Sequence, residues 1–158
     1  MLRAVSGYNS GAVGITGGTI AGTTISSSSV NGIAAAAFTD GRRLLATIRS
    51  ANMNVTTDQA LTILGTSKYM IDAILVTNAS ISLTTAAGGI YPSASKGGTA
   101  IVAAAQTYSA LSSHTVVLPL TLAVTDTLQS TATLYFALTT PQGAAATADI
   151  YVFGYDLT

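Results

Sequence analysis

One histidine, His114, six aspartates, no glutamate and no cysteine are the whole inventory for nucleophilic, acid–base or metal chemistry. A Ser/His/Asp site would have to use His114 with Asp126 and a serine. Ser113 is the histidine's own chain neighbour, and neighbours along a strand point to opposite faces. No G-x-S-x-G turn occurs. The residues read as a loop histidine. The scattered aspartates offer no carboxylate pair for glycoside hydrolysis and no calcium-loop spacing. One histidine without cysteine leaves no zinc set. The glycines between Gly11 and Gly22 match neither a phosphate loop nor a dinucleotide fingerprint, and Lys96-Gly97-Gly98-Thr99 reads as a turn. Asn78-Ala79-Ser80 matches a glycosylation sequon, a weak signal without a visible secretion leader. The expectation is a chain that is not an enzyme, with no catalytic residue, no cofactor and no metal.

Composition points the same way. Ala, Thr, Ser and Gly make up 83 of 158 residues, and only 8% are charged, with a net charge of zero. Binding to nucleic acid or to an anionic membrane needs clustered basic charge, and neither partner is expected. The apolar runs Ile33 to Phe38 and Ala100 to Ala105 are far short of the roughly 20 residues of a membrane helix. Yet 49% of residues are hydrophobic and mean hydropathy is +0.53, which argues against disorder. So apolar and weakly charged a surface is best explained if other copies or a larger assembly cover it.

Three segments must carry these residues. Residues 1–33 read as an extended Gly/Thr/Ile-rich arm. Ile15, Ile20, Ile25 and Val30 recur every five positions among small residues, one apolar side chain per five, which is too few for a core. They are the candidate attachment residues. Residues 34–50 read as a junction in which Leu44 to Ile48 forms a short strand and Arg42, Arg43 and Arg49 a solvated basic patch. Residues 51–158 read as the β-domain, expected to fold without the arm. Strand patterns cover Gln59 to Leu64, Tyr69 to Thr77 (apolar enough for burial on both faces), Ile81 to Thr85, Gly89 to Tyr91, Thr133 to Thr139 and Ala148 to Tyr155. Thr99 to Ala105 stays open between strand and helical turn. In Thr115 to Val124, Val116, Leu118, Leu120, Leu122 and Val124 share one face, and Pro119 argues for an edge or a bulge. About eight strands spaced some 8–12 residues apart predict an all-β fold, a jelly-roll-like β-sandwich. In the last strand Asp149, Tyr151, Phe153 and Tyr155 face away from Ala148, Ile150 and Val152. An outer sheet face is ordinarily polar, so Tyr151, Phe153 and Tyr155 are the candidate subunit interface.

Several stretches resemble tailed-bacteriophage virion proteins of the small trimeric jelly-roll kind. ITGGTIAGTTI is similar to their N-terminal segments, RSANMNVTTDQALTI to their lead-in strands, and AILVTNASISLTTAAGGIYPSASKGGTAIV with LYFALTTPQGAAATADIYVFGYDL to their jelly-roll domain. The resemblance implies a homotrimer on the outside of the capsid, a decoration (cement) or short head-fibre protein. Its arm would bind the major capsid protein or another virion protein. The rival expectation is a tail-fibre or tail-spike domain that binds a receptor or carbohydrate, for which Tyr91, Tyr108, Tyr135 and Tyr155 are the aromatic candidates; a non-viral trimeric adhesin-like module is a third. Because His114 carries no chemistry in this reading, His114→Ala should leave the unfolding free energy within about 0.5 kcal/mol of the parent and leave assembly intact. Urea melts and light scattering check both.

Overall fold

The computed structural model describes residues 41–158 and, ahead of them, the backbone of two short strands, β1 (Ser29–Val30) and β2 (Ile33–Ala34). These pair antiparallel, Ser29 with Ala34 and Val30 with Ile33. Ile15, Ile20 and Ile25, and with them the reading of an extended arm, lie outside the described residues.

The larger unit contains β3 (Arg42–Asn52), β4 (Gln59–Thr62), β5 (Tyr69–Thr77), β6 (Ala87–Tyr91), β7 (Leu118–Pro119), β8 (Leu128–Gln129), β9 (Thr133–Thr140) and β10 (Thr147–Asp156). Every pairing is antiparallel, and there is no helix among the described residues. One sheet runs β3-β10-β5-β7, with β8 also on β5; the other runs β4-β9-β6. Beside β6, Ile101 N donates to Ile90 O (2.8 Å) and Ile90 N to Val102 O (3.2 Å). The chain is thus an all-β, sandwich-like arrangement.

Alternation builds the core. Leu45, Ile74, Val76, Ile150 and Val152 from one sheet share a buried cluster with Leu61, Ile90, Leu134, Phe136 and Leu138 from the other. Tyr108 is buried among them, edge-on to Phe136 with centroids 6.0 Å apart. Its hydroxyl donates to Gly88 O at 3.1 Å, so the polar tip is satisfied inside the core. Burial raises its pKa well above the ordinary range. Gly154 sits at a register shift where a Cβ would run into the Met70 carbonyl and the Leu45 side chain.

Three elements differ from expectation. First, β5 buries one face only: Tyr69, Ile71, Ile74 and Val76 are buried, while Asp72 is exposed. Second, Ile81 to Thr85 forms no strand. Leu83 is buried, and the Gln142 side chain satisfies the backbone there, accepting from Thr85 N (3.2 Å) and donating to Ser82 O (3.2 Å). Third, the alternating face of 115–124 is real in burial, with Leu120 buried and its neighbours Pro119 and Thr121 exposed, but only Leu118–Pro119 joins the ladder. Pro119 has no N–H to extend it, and β7 lies at the sheet margin.

The expected short strand at Leu44 to Ile48 is much longer, and β3 takes in most of the stretch assigned to a junction. Its pairing with β10 runs from Asn52–Thr147 to Arg42–Tyr155. A chain beginning at Ala51 therefore loses all of β3 but its last two residues and leaves Leu45 and Ala46 missing from the core. Losing even one buried leucine costs about 2–5 kcal/mol. We expect a chain beginning at Gly41 to give a cooperative, β-rich urea transition and one beginning at Ala51 to be unfolded or aggregated, as read by circular dichroism.

Candidate functional site

The outer face of the β3-β10-β5 sheet is built around the middle strand. Alternation along β10 puts Ala148, Ile150 and Val152 inward and leaves Tyr151, Phe153 and Tyr155 half-buried on the outside. Register sets their neighbours. Tyr151 lies between Thr47 and Leu75, Phe153 between Leu44 and Ala73, and Tyr155 between Arg42 and Met70. The structure thus brings the three sequence-predicted interface residues together on one sheet face. Arg42 caps the row: its guanidinium lies 5.3 Å from the Phe153 ring centre and its Nε 2.7 Å from Asp72 Oδ2. Arg49 covers Tyr151 at 5.6 Å. Exposed contacts of this kind contribute about 0.5–1 kcal/mol each. The basic patch is thus paired, Arg42 with Asp72, Arg43 with Asp156 and Arg49 with Asp149.

Two buried aspartates of β10 fasten its ends. Asp149 accepts from Ser50 N (2.7 Å) and from Asn78 Nδ2 (3.2 Å). Both donors are left-handed residues, φ 54° each, where β3 bulges and β5 ends. One carboxylate thereby holds the turns of both neighbouring strands. Asp156 accepts from the hydroxyls of Thr158 and Thr66, 2.6 Å each, and from Thr158 N (3.1 Å), with Arg43 Nη2 at 3.1 Å. Those bonds, Thr158's first, lower its pKa from 3.8 to about 2.

A second feature lies on the other sheet's side of the chain. Thr56, Thr57, Asp58, Ser95 and Lys96 line an open cleft of about 400 Å³. Ser95 N donates to Asp58 Oδ2, and Lys96 Nζ donates to Thr56 O at 3.1 Å. Nearby in the chain, Tyr91 is buried and its hydroxyl has no partner. Burial, then the Asp58 charge, raises its pKa. No local motif announces this cleft, because its two walls are 37 residues apart in the chain.

His114 is exposed, and Ser113 Oγ bonds with Thr115 Oγ1 (3.0 Å). No group of three His, Cys, Asp or Glu able to hold a metal occurs among the described residues, and no helix there is long and apolar enough to cross a membrane. Of the rival aromatic candidates, Tyr108 and Tyr91 are buried, whereas Tyr135 and Tyr155 keep part of their surface. Comparison with protein-family models, with curated proteins and with solved structures gave no match.

The Asp156 bonds carry a pH dependence. Its folded pKa lies below the ordinary value, so its stabilisation is full above about pH 5 and is lost as pH falls toward 2. Asp156→Asn should flatten this acid limb, with a smaller drop in urea midpoint between about pH 4 and pH 2 than the parent shows.

Proposed function

We propose that the chain is a non-enzymatic structural protein of a virion, a capsid decoration or short head-fibre protein. It assembles as a homotrimer on the outer surface of the shell and binds the major capsid protein or another virion protein through its N-terminal arm. The observation that carries this reading is the half-buried aromatic row Tyr151, Phe153 and Tyr155 on the middle strand, in a chain with so little charge. The face carries both signs, Arg42 and Arg49 on β3 and Asp72 on β5, so a second copy offers it complementary groups as well as apolar area.

Strand order supports the jelly-roll part of the reading. Counting from β3, setting aside the two-residue β8 and taking Ile101–Val102, which bridges Ile90 on one side and Leu122 on the other, as a fifth segment, the sheets run 1-8-3-6 and 2-7-4-5. That is the order of two interlocked Greek keys. The sequence resemblance supports the virion part. A cement of this kind stabilises a shell because it binds the assembled lattice and not its free subunits.

Light scattering on the full chain at micromolar concentration should give the mass of a trimer. Phe153→Asp should shift it toward monomer while circular dichroism stays β-rich. A monomer at every concentration, or a trimer indifferent to Phe153→Asp, removes the support for this interface.

A further inference from the structure

We infer that the cleft between Thr56, Thr57 and Asp58 on one wall and the Ser93–Gly97 turn on the other binds a neutral, polyhydroxylated ligand, a segment of glycan. This does not rest on the shell reading; it follows from how the cleft's charges are held. The space of about 400 Å³ is at the small end of ligand sites. All five lining residues end in a hydroxyl, a carboxylate or an ammonium group. The two charges cancel, so the cleft has no bias toward an anion or a cation.

Asp58 and Lys96 share the cleft without forming an ion pair. Each is committed to a backbone group of the opposite wall instead: Lys96 Nζ donates to Thr56 O at 3.1 Å, and Asp58 Oδ2 accepts from Ser95 N. That exchange holds the walls together and the two charges apart. An ammonium has three donors and a carboxylate about four acceptor positions, so most of the capacity of both groups is left over. The hydroxyls of Thr56, Thr57 and Ser95 stand beside them. A sugar hydroxyl both donates and accepts. Vicinal hydroxyls can therefore bridge a carboxylate that only accepts and an ammonium that only donates.

The turn is shaped for this presentation. Ser95 and Lys96 are successive non-glycine residues in the left-handed region, φ 58° and 59°. Gly97 N donates back to Ser93 O (3.2 Å) and Ala94 O (3.1 Å), and Gly98, φ 77°, packs beside Pro92. Two adjacent residues in so sparse a conformation persist only where their surroundings hold them, and such residues cluster at ligand sites. The buried, unpartnered Tyr91 hydroxyl lies within the field of the same Asp58 carboxylate.

The test is an amide-resolved NMR titration of the full chain with free lactose, maltose and mannose, each taken to millimolar excess. Saturable shifts are expected at Thr57, Asp58, Ser95 and Lys96 for at least one sugar. Lys96→Met and Thr57→Val should each weaken that sugar, Lys96→Met by about tenfold, whereas Lys96→Arg should retain binding and Lys68→Met, outside the cleft, should leave it unchanged. Thr57 makes no hydrogen bond within the described chain, so its variant keeps the fold even if Lys96→Met loosens the turn. The inference is overturned if no sugar moves these amides, if the shifts survive both Lys96→Met and Thr57→Val at full strength, or if glycine, a zwitterion, moves them while the sugars do not.

Discussion

The larger unit depends on the double pairing of β10. Along its length this strand gives one row of backbone bonds to β3 and the other to β5. It joins the two ends of the described domain, since β3 opens it and β10 closes it. The core follows from this, because the inward residues of the three strands form one wall of the sandwich. So does the outer aromatic face, whose members are placed by the same register. Asp149 and Asp156 keep that register from slipping. Each is buried, and each ties β10 to residues of neighbouring segments. A slip by one residue would turn Tyr151, Phe153 and Tyr155 into the core and put Ile150 and Val152 outside.

With only 12 charged residues in the chain, uncharged polar side chains do the joining that ion pairs do elsewhere. Gln59 behaves as an extra peptide group: its Oε1 accepts from Asn52 N (2.7 Å) and its Nε2 donates to Asn52 O (2.8 Å). Gln142 serves the irregular 82–86 segment in the same way. Threonine hydroxyls close further gaps, Thr77 onto Val116 O (2.8 Å) and Thr139 onto Ala104 O (2.9 Å). Backbone groups outside a ladder still need partners, and these side chains supply them where the ladders stop. The high threonine content is thereby a structural device rather than a solubilising coat alone.

Much of this was legible in the sequence. Tyr69 to Thr77, Thr133 to Thr139 and Ala148 to Tyr155 were readable because dense β-branched and aromatic residues leave no rival pattern, and the outward set on the last strand followed from its period of two. The reach of β3 was not readable. Its arginines and the Arg49-Ser50 bulge interrupt alternation, and only the partner strand reveals why they belong. The regular alternation at 115–124 proved a burial pattern with only a two-residue ladder, Leu118–Pro119 on β5, since Pro119 removes a donor. The Asp58–Lys96 cleft was invisible because it is made by a long-range pairing of loops, each of which reads as an ordinary turn.

The proposed role as an assembly protein requires the outer face of β10 to be covered in solution. The chain has no cysteine, so a single one introduced by Ala73→Cys, opposite Phe153 on that face, is a unique reporter. Its rate of reaction with a thiol reagent is the most direct measurement. The account predicts slow labelling at concentrations where the protein is associated, and fast labelling once Phe153→Asp is added. Equally fast labelling in both, at every concentration, would show the face open to solvent and contradict the account.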